Sequence, residues 1–194
     1  MCIRDRHYVS SKMGCWQALD AACSLHDMGF VLPSKATRRR WEKNKRLIRR
    51  WIDTHGWDER RGAYRMYKGG RELDASVLLH SVSGFDRGER MSRTIDALRA
   101  ELGRGPLLYR YSGMEREEGT FTACAFWTAS ALACVGRLEE GRALMDELVD
   151  VVPNDVGIMA EMVEPGSMDF LGNLPQALSH LALVQAASVI RELT

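Results

Sequence analysis

The stretch Phe121-Thr122-Ala123-Cys124-Ala125-Phe126-Trp127-Thr128-Ala129-Ser130-Ala131-Leu132-Ala133-Cys134-Val135 decides the fold. It holds no charged residue, and its apolar side chains fall on every face of a helical turn. A helix without a polar face must be covered on both sides. Three further segments read the same way: Met13 to Leu25, the shorter Ala75 to Val82, and Leu174 to Ala187.

Between them lie helices of a second kind. Met91, Ile95, Leu98 and Leu102, spaced 4, 3, 4 among charged residues, make one apolar stripe. Leu138, Leu144, Met145, Leu148 and Val149 make another, and Trp41, Ile48, Trp51 and Ile52 a third. Each buries one face only. The two kinds alternate along the chain, which is the signature of an inner ring of helices wrapped by an outer one. The fold class is therefore all-α, an incomplete (α/α)6 toroid showing about seven of twelve helices. Little β alternation stands out beyond pieces such as Ala63 to Tyr67. Inner-to-outer links are short, as at Gly136-Arg137. Outer-to-inner links are long: Thr54 to Leu73, Gly103 to Gly119 and Val151 to Asn173. Long loops on one end of a rigid scaffold are where chemistry usually sits. All three lead into an inner helix, so they should meet at one mouth of the toroid.

Composition sets the outer bounds. Lys+Arg 27 against Asp+Glu 26 leaves a formal charge of +1, which argues against a nucleic-acid partner held by counterion release. The basic run from Arg38 to Arg50 is interleaved with Trp41, Leu47 and Ile48 and reads as the solvated face of an amphipathic helix. Cys2, Cys15, Cys23, Cys124 and Cys134 show neither disulfide nor metal spacing, and the last four sit in apolar helical segments where a thiol packs as a small hydrophobe. The expectations are a reducing, cytoplasmic setting, no cofactor, no metal and no membrane span. Residues 1–6, Met-Cys-Ile-Arg-Asp-Arg, resemble adapter sequence read as coding, so they read as a non-native leader and 7–194 as the protein proper.

The link from Val151 to Asn173 holds the best candidate for chemistry. Glu161 follows Ile158-Met159-Ala160 and precedes Met162-Val163. A carboxylate partly desolvated in such company suits general-base work. Capping or ion-pairing a loop is the other reading of the same residue.

Four segments, in order, resemble glycoside hydrolase family 15, the glucoamylase and trehalase family. They are Ser11-Lys12 with Trp16-Gln17-Ala18-Leu19-Asp20, then Leu73-Asp74-Ala75-Ser76, then Tyr109-Arg110-Tyr111 with Glu118-Gly119-Thr120-Phe121, and last Ala160-Glu161 with Leu171-Gly172-Asn173-Leu174-Pro175-Gln176-Ala177. The resemblance covers nearly everything after residue 6. It implies that Glu161 is the catalytic general base and that Arg110, beside Tyr111, holds sugar hydroxyls, a task suited to a planar guanidinium. A plain surface charge is the alternative for Arg110. Glu118 orients substrate or caps the helix behind it. Asp74 reads more as an N-cap than as a sugar ligand. Lys12 and Trp16 face the cavity or, for Trp16, the core. Asn173 positions Glu161 or starts the last helix. Met162 and Glu164 depart from the family's pattern of acids after the base.

The family's general acid lies in a Trp-Glu-x-Arg type segment ahead of the Ser-Lys helix. No such segment stands there, and Trp41-Glu42 sits in an outer-type helix with basic neighbours. The resemblance thus implies the C-terminal part of a catalytic domain, expected to be inactive alone. Its full-length parent would hydrolyse α-glucosidic bonds with inversion, glucoamylase-like and exo-acting, on an oligosaccharide or disaccharide α-glucoside. One alternative is a trehalase of the same family. Another is a non-catalytic helical scaffold, which would show a regular repeat; the buried helices here begin at irregular intervals.

Overall fold

A computed structural model of the chain describes residues 6–152 and 155–194; Met1 to Asp5, most of the expected leader, and residues 153–154 lie outside them. The described helices are α1 (Val9–Asp27), α2 (Lys35–His55), α3 (Leu79–Val82, entered through a 3₁₀ turn, Ala75–Leu78), α4 (Glu89–Leu102), α5 (Thr122–Cys134), α6 (Leu138–Val151) and α7 (Ala177–Glu192). They alternate between two layers. Inner helices α1, α3, α5 and α7 contact one another in that order, and outer helices α2, α4 and α6 pack on them. The sequence pattern of buried and amphipathic helices thus gives an open arc of a helical toroid.

Helix α5 is the centre of the arc. Every residue from Thr122 to Ala133 except Trp127 is buried. Small side chains let its neighbours come close. Gly141 of α6 lies so near that a Cβ there would stand 2.8 Å from the carbonyl oxygen of Ala129. Helix α7 approaches through its buried Ser179, Ala182 and Ala186. On α4 the stripe Met91, Ile95, Leu98 and Leu102 is wholly buried, each side chain contributing about 1.5–3 kcal/mol. Helix α2 starts on Ser34, whose Oγ accepts from Thr37 N at 3.1 Å, a standard N-cap.

Cover on both sides, expected of all the apolar segments, is met in α5 but not at the ends of the arc. Leu181 and Val184 of α7 are 64% and 58% exposed, and Leu25 of α1 is 43% exposed. Each of these helices has an inner-layer neighbour on one side only among the described residues. Cys15 is likewise exposed rather than packed.

The long links carry short antiparallel strands that the sequence does not announce. They are β1 (Trp57–Asp58) with β2 (Ala63–Tyr64), β3 (Gly103–Arg104) with β4 (Leu107–Leu108), and a sheet ordered β5 (Thr120–Phe121), β6 (Met162–Val163), β7 (Phe170–Leu171). Two residues per strand leave no room for a period-two pattern. These pairings tie the links together. Tyr8 bridges Tyr67, Asp74 bridges Tyr111, and β5, just after the second link, pairs with β6 of the third. The long links therefore meet at one end of the arc. No described helix is long and apolar enough to cross a membrane.

Candidate active site

Where the links meet lies a cleft of about 410 Å³, lined among others by Ser10, Asp74, Arg110, Tyr111, Phe121 and Trp127. Three residues singled out from sequence, Asp74, Arg110 and Tyr111, are thus brought to one wall. Arg110 is held as a fork. Its Nε donates to Glu118 Oε2 at 2.8 Å and its Nη2 pairs with Oε1, the bidentate geometry that fixes a guanidinium plane. The Glu118 hydrogen bonds raise the pKa of Arg110 and keep it charged. The guanidinium carbon lies 5.4 Å and 5.2 Å from the ring centres of Tyr111 and Phe121. Its Nη1 has no partner among the described residues.

Asp74 does two things at once. Its Oδ1 accepts from Ser76 N at 2.8 Å, capping the 3₁₀ turn. It also faces the cleft, where burial pushes its pKa up against the pull of Ser76 and Arg110. Beside it the buried thiol of Cys124 is driven well above its ordinary range, first by burial and then by Asp74.

Glu161 does not line this cleft; its backbone bonds to Thr122, next to the lining residue Phe121. Its neighbour Met162 pairs in β6 with Phe121, and Leu178 at the start of α7 is a further wall residue. The backbone around it is strapped on both sides. Thr122 N donates to Glu161 O at 3.0 Å, Glu161 N donates to Asn173 O at 2.9 Å, and Gln176 N donates to Met159 O at 3.0 Å. Ser179 Oγ donates to Ala160 O at 2.8 Å. The carboxylate is held through one oxygen: Asn173 N and Nδ2 both donate to Oε2, at 3.2 Å and 2.9 Å. Oε1 has no described partner. The close company is therefore a polar amide, not the apolar surroundings that the flanking sequence suggests. Gly172 makes the approach possible. Its φ is +74°, and a Cβ there would lie 2.8 Å from Glu161 Oε2 and 3.1 Å from Glu161 Cβ.

Lys12 does not line this cleft, and Trp16 takes the second of its two readings, packed against the core. Lys12 Nζ sits 5.5 Å from the ring centre of Trp51 on α2. Trp16 packs edge-on against Phe85 at 5.1 Å. Residues four apart on a helix share a face, and this face of α1 turns to the outer layer; Ser10 takes the cleft. Sequence reasoning also passed over His80. It is buried, its Nε2 lies 3.4 Å from Ser10 Oγ, and its Nδ1 has no partner. Burial lowers its pKa to about 4. A single histidine in an apolar segment gives no sign of this.

Known proteins resemble the chain along its length. A family model described as glycosyl hydrolases family 15 matches residues 3–151; Glu161 and Asn173 lie beyond that match. The chain is 35% identical over 189 residues to a trehalase of Mycobacterium tuberculosis, covering 93% of this chain and 27% of that protein. It is 32% identical to a trehalase of Thermoplasma acidophilum, covering 96% and 32%. A solved structure described as a wild-type glycosidase superposes with a TM-score of 0.80 at 16% identity, over 96% of this chain and 53% of the other. That last likeness speaks for the fold. The chain spans about a third or less of the trehalases that it matches. The alternating helices, the joined links and the family match agree: this chain belongs to family 15 of the glycosyl hydrolases.

Proposed function

We propose that Glu161 is the general base of an inverting glycoside hydrolase that cleaves an α-glucosidic bond. The observation that carries this reading is the one-sided hold on its carboxylate. Two Asn173 donors fix Oε2, while Oε1 has no partner among the described residues, and the next residue, Met162, pairs with the cleft residue Phe121. A base needs such a fixed but available oxygen to take a proton from the attacking water. Arg110, locked by Glu118, offers its remaining donors to sugar hydroxyls, and Tyr111 and Trp127 offer aromatic surface. Inversion needs a second carboxyl about 6.5–9.5 Å from the first, with water between. It is expected from the part of the relatives' length that this chain does not span. Trehalose is favoured over starch-type substrates, because the relatives at 31–35% identity bear the name trehalase.

The test uses a polypeptide that carries this sequence within a complete catalytic domain. Glu161→Gln should lower kcat by about 10²–10⁴-fold with little change in KM. Normal turnover in that variant excludes the role. Initial rates on trehalose, maltose and starch decide the substrate, and the anomer first released decides the stereochemistry.

A further inference from the structure

Outer helix α2 carries a ridge of cations that the fold does not use. Lys35, Arg39, Lys43, Arg46 and Arg50 recur at intervals of 4, 4, 3 and 4. On a helix of 3.6 residues per turn they fall within an arc of about 80° and along about 22 Å of its axis. All five are exposed, and their side chains have no ion pair, hydrogen bond or ring contact among the described residues. The nearby acids are already engaged. Arg38 holds Asp27 and Glu42, Lys45 holds Asp20, and Arg49 and Arg90 share Asp53. Like charges four apart weaken a helix, so the ridge opposes α2 locally and gains nothing within the chain.

Outer helix α6 presents the opposite sign. Glu139, Asp146 and Asp150, spaced 7 and 4, lie on one face with Glu147 beside them, all exposed. Among the described residues only Glu139 of these has an ion pair, with Arg142. The 7, 4 spacing equals that of Arg39, Arg46 and Arg50 when two helices run parallel. Reversed, Asp150, Asp146 and Glu139 meet Arg39, Lys43 and Arg50. The basic ridge therefore accepts the acidic one in either direction. The two signs are segregated on a chain whose formal charge is only +1. A nucleic acid or an anionic membrane drawn to α2 makes no use of α6; a second copy of the chain uses both.

We propose that α2 of one copy docks on α6 of another, a head-to-tail contact between identical chains steered by charge complementarity. One helix laid on one helix buries less than about 1,000 Å², so the contact is weak and transient. Attraction between exposed charges is screened by salt, whereas association through the open apolar flanks of α1 and α7 is not.

Sedimentation velocity over a concentration series, at about 0.05 M and about 0.5 M salt, tests this. Self-association should fall about tenfold at the higher salt, as three or four exposed ion pairs imply. The triple variant Arg39→Glu, Arg46→Glu, Arg50→Glu and the double variant Asp146→Lys, Asp150→Lys should each lose it. Mixing the two should restore it, because each then offers the other a complementary helix. Association that is unchanged or stronger at high salt overturns the proposal. So does a chain that stays monomeric at low salt, whether or not it binds heparin or phosphatidylserine vesicles. Circular dichroism checks the variants; if they fail to fold, the salt dependence of the unaltered chain decides.

Discussion

Replacing Gly172 by alanine separates two effects that the structure places at one residue. The first is backbone strain. Gly172 has φ +74°, and a residue with a Cβ in that region is destabilised by roughly 1–2 kcal/mol. The second is crowding. The new Cβ would lie 2.8 Å from Glu161 Oε2, 3.0 Å from Met162 Cε and 3.1 Å from Glu161 Cβ. The methionine end can swing away, but Glu161 Cβ is fixed by its strapped backbone, so the carboxylate must turn off Asn173. Losing hydrogen bonds to a charged group is worth about 1.5–3 kcal/mol, and misplacing a reacting group by about 1 Å lowers turnover by up to ~10²-fold. Gly105→Ala is the control. Gly105 has φ +58° in the β3–β4 turn, with no atom within 4 Å of its added Cβ, so it carries the strain without the crowding. Urea unfolding should show the strain alone in Gly105→Ala, and in Gly172→Ala that loss plus the cost of the broken Asn173 bonds. In a complete catalytic domain, kcat should fall about 10- to 100-fold in Gly172→Ala alone, with KM nearly unchanged. Equal turnover in the two variants would refute the claim that Gly172 makes room for the Glu161 side chain.

Two further outcomes follow from the same geometry. Arg110→Lys keeps the charge but loses the planar fork that Glu118 grips, so KM for the sugar should rise about tenfold while the stability of the chain changes little; an unmoved KM would remove Arg110 from the binding wall. His80 makes folding stability fall in acid. Its folded value of about 4 lies below its ordinary 6.5, so the unfolded chain takes up a proton that the native chain resists. Stability is whole above pH 6.5 and drops as the pH falls toward 4, by at most about 3 kcal/mol. Asp74, with its raised pKa, acts in the opposite sense and offsets part of the fall. Urea titrations at pH 7, 5.5 and 4.5 (about these values) should show a flatter profile in His80→Leu than in the parent; the same slope in both would mean that His80 is not the group responsible.

What the sequence makes legible depends on whether position along a helix carries a signal. The stripe Met91, Ile95, Leu98, Leu102 has polar residues opposite it, so its inward face can be read directly, and those four side chains are buried. Helix α1 has no such contrast. Small and apolar residues surround it, and nothing in their order says which face meets the cleft; Lys12 and Trp16 therefore fall on the α2 side while Ser10 takes the cleft. Asn173 beside Glu161 is legible only through the family motif, because twelve residues and a strand pair separate them in the chain. Gly172 stands in the same motif, but nothing there announces its role, and His80 is not legible at all. One matters through a contact distance and the other through burial, and neither leaves a trace in periodicity.

The placement of Glu161 shows why such a site needs the toroid rather than a single loop. Its carbonyl is held by the first turn of α5 and its amide by Asn173, while Ala160 and Met159 are held by Ser179 and Gln176 at the start of α7. Helix α5 is fixed in turn by close packing against α6 and α7, where a single added carbon at Gly141 would collide with its backbone. The carboxylate thus inherits its position from the contacts of two inner helices. Arg110 inherits its own from a different link, through the bridge of Asp74 to Tyr111 and the bond from Ala75 N to Arg110 O. Glu161 and Arg110 come to the same end because alternating layers return every outer-to-inner link there. A loop on its own could supply either residue, but not the frame that holds both.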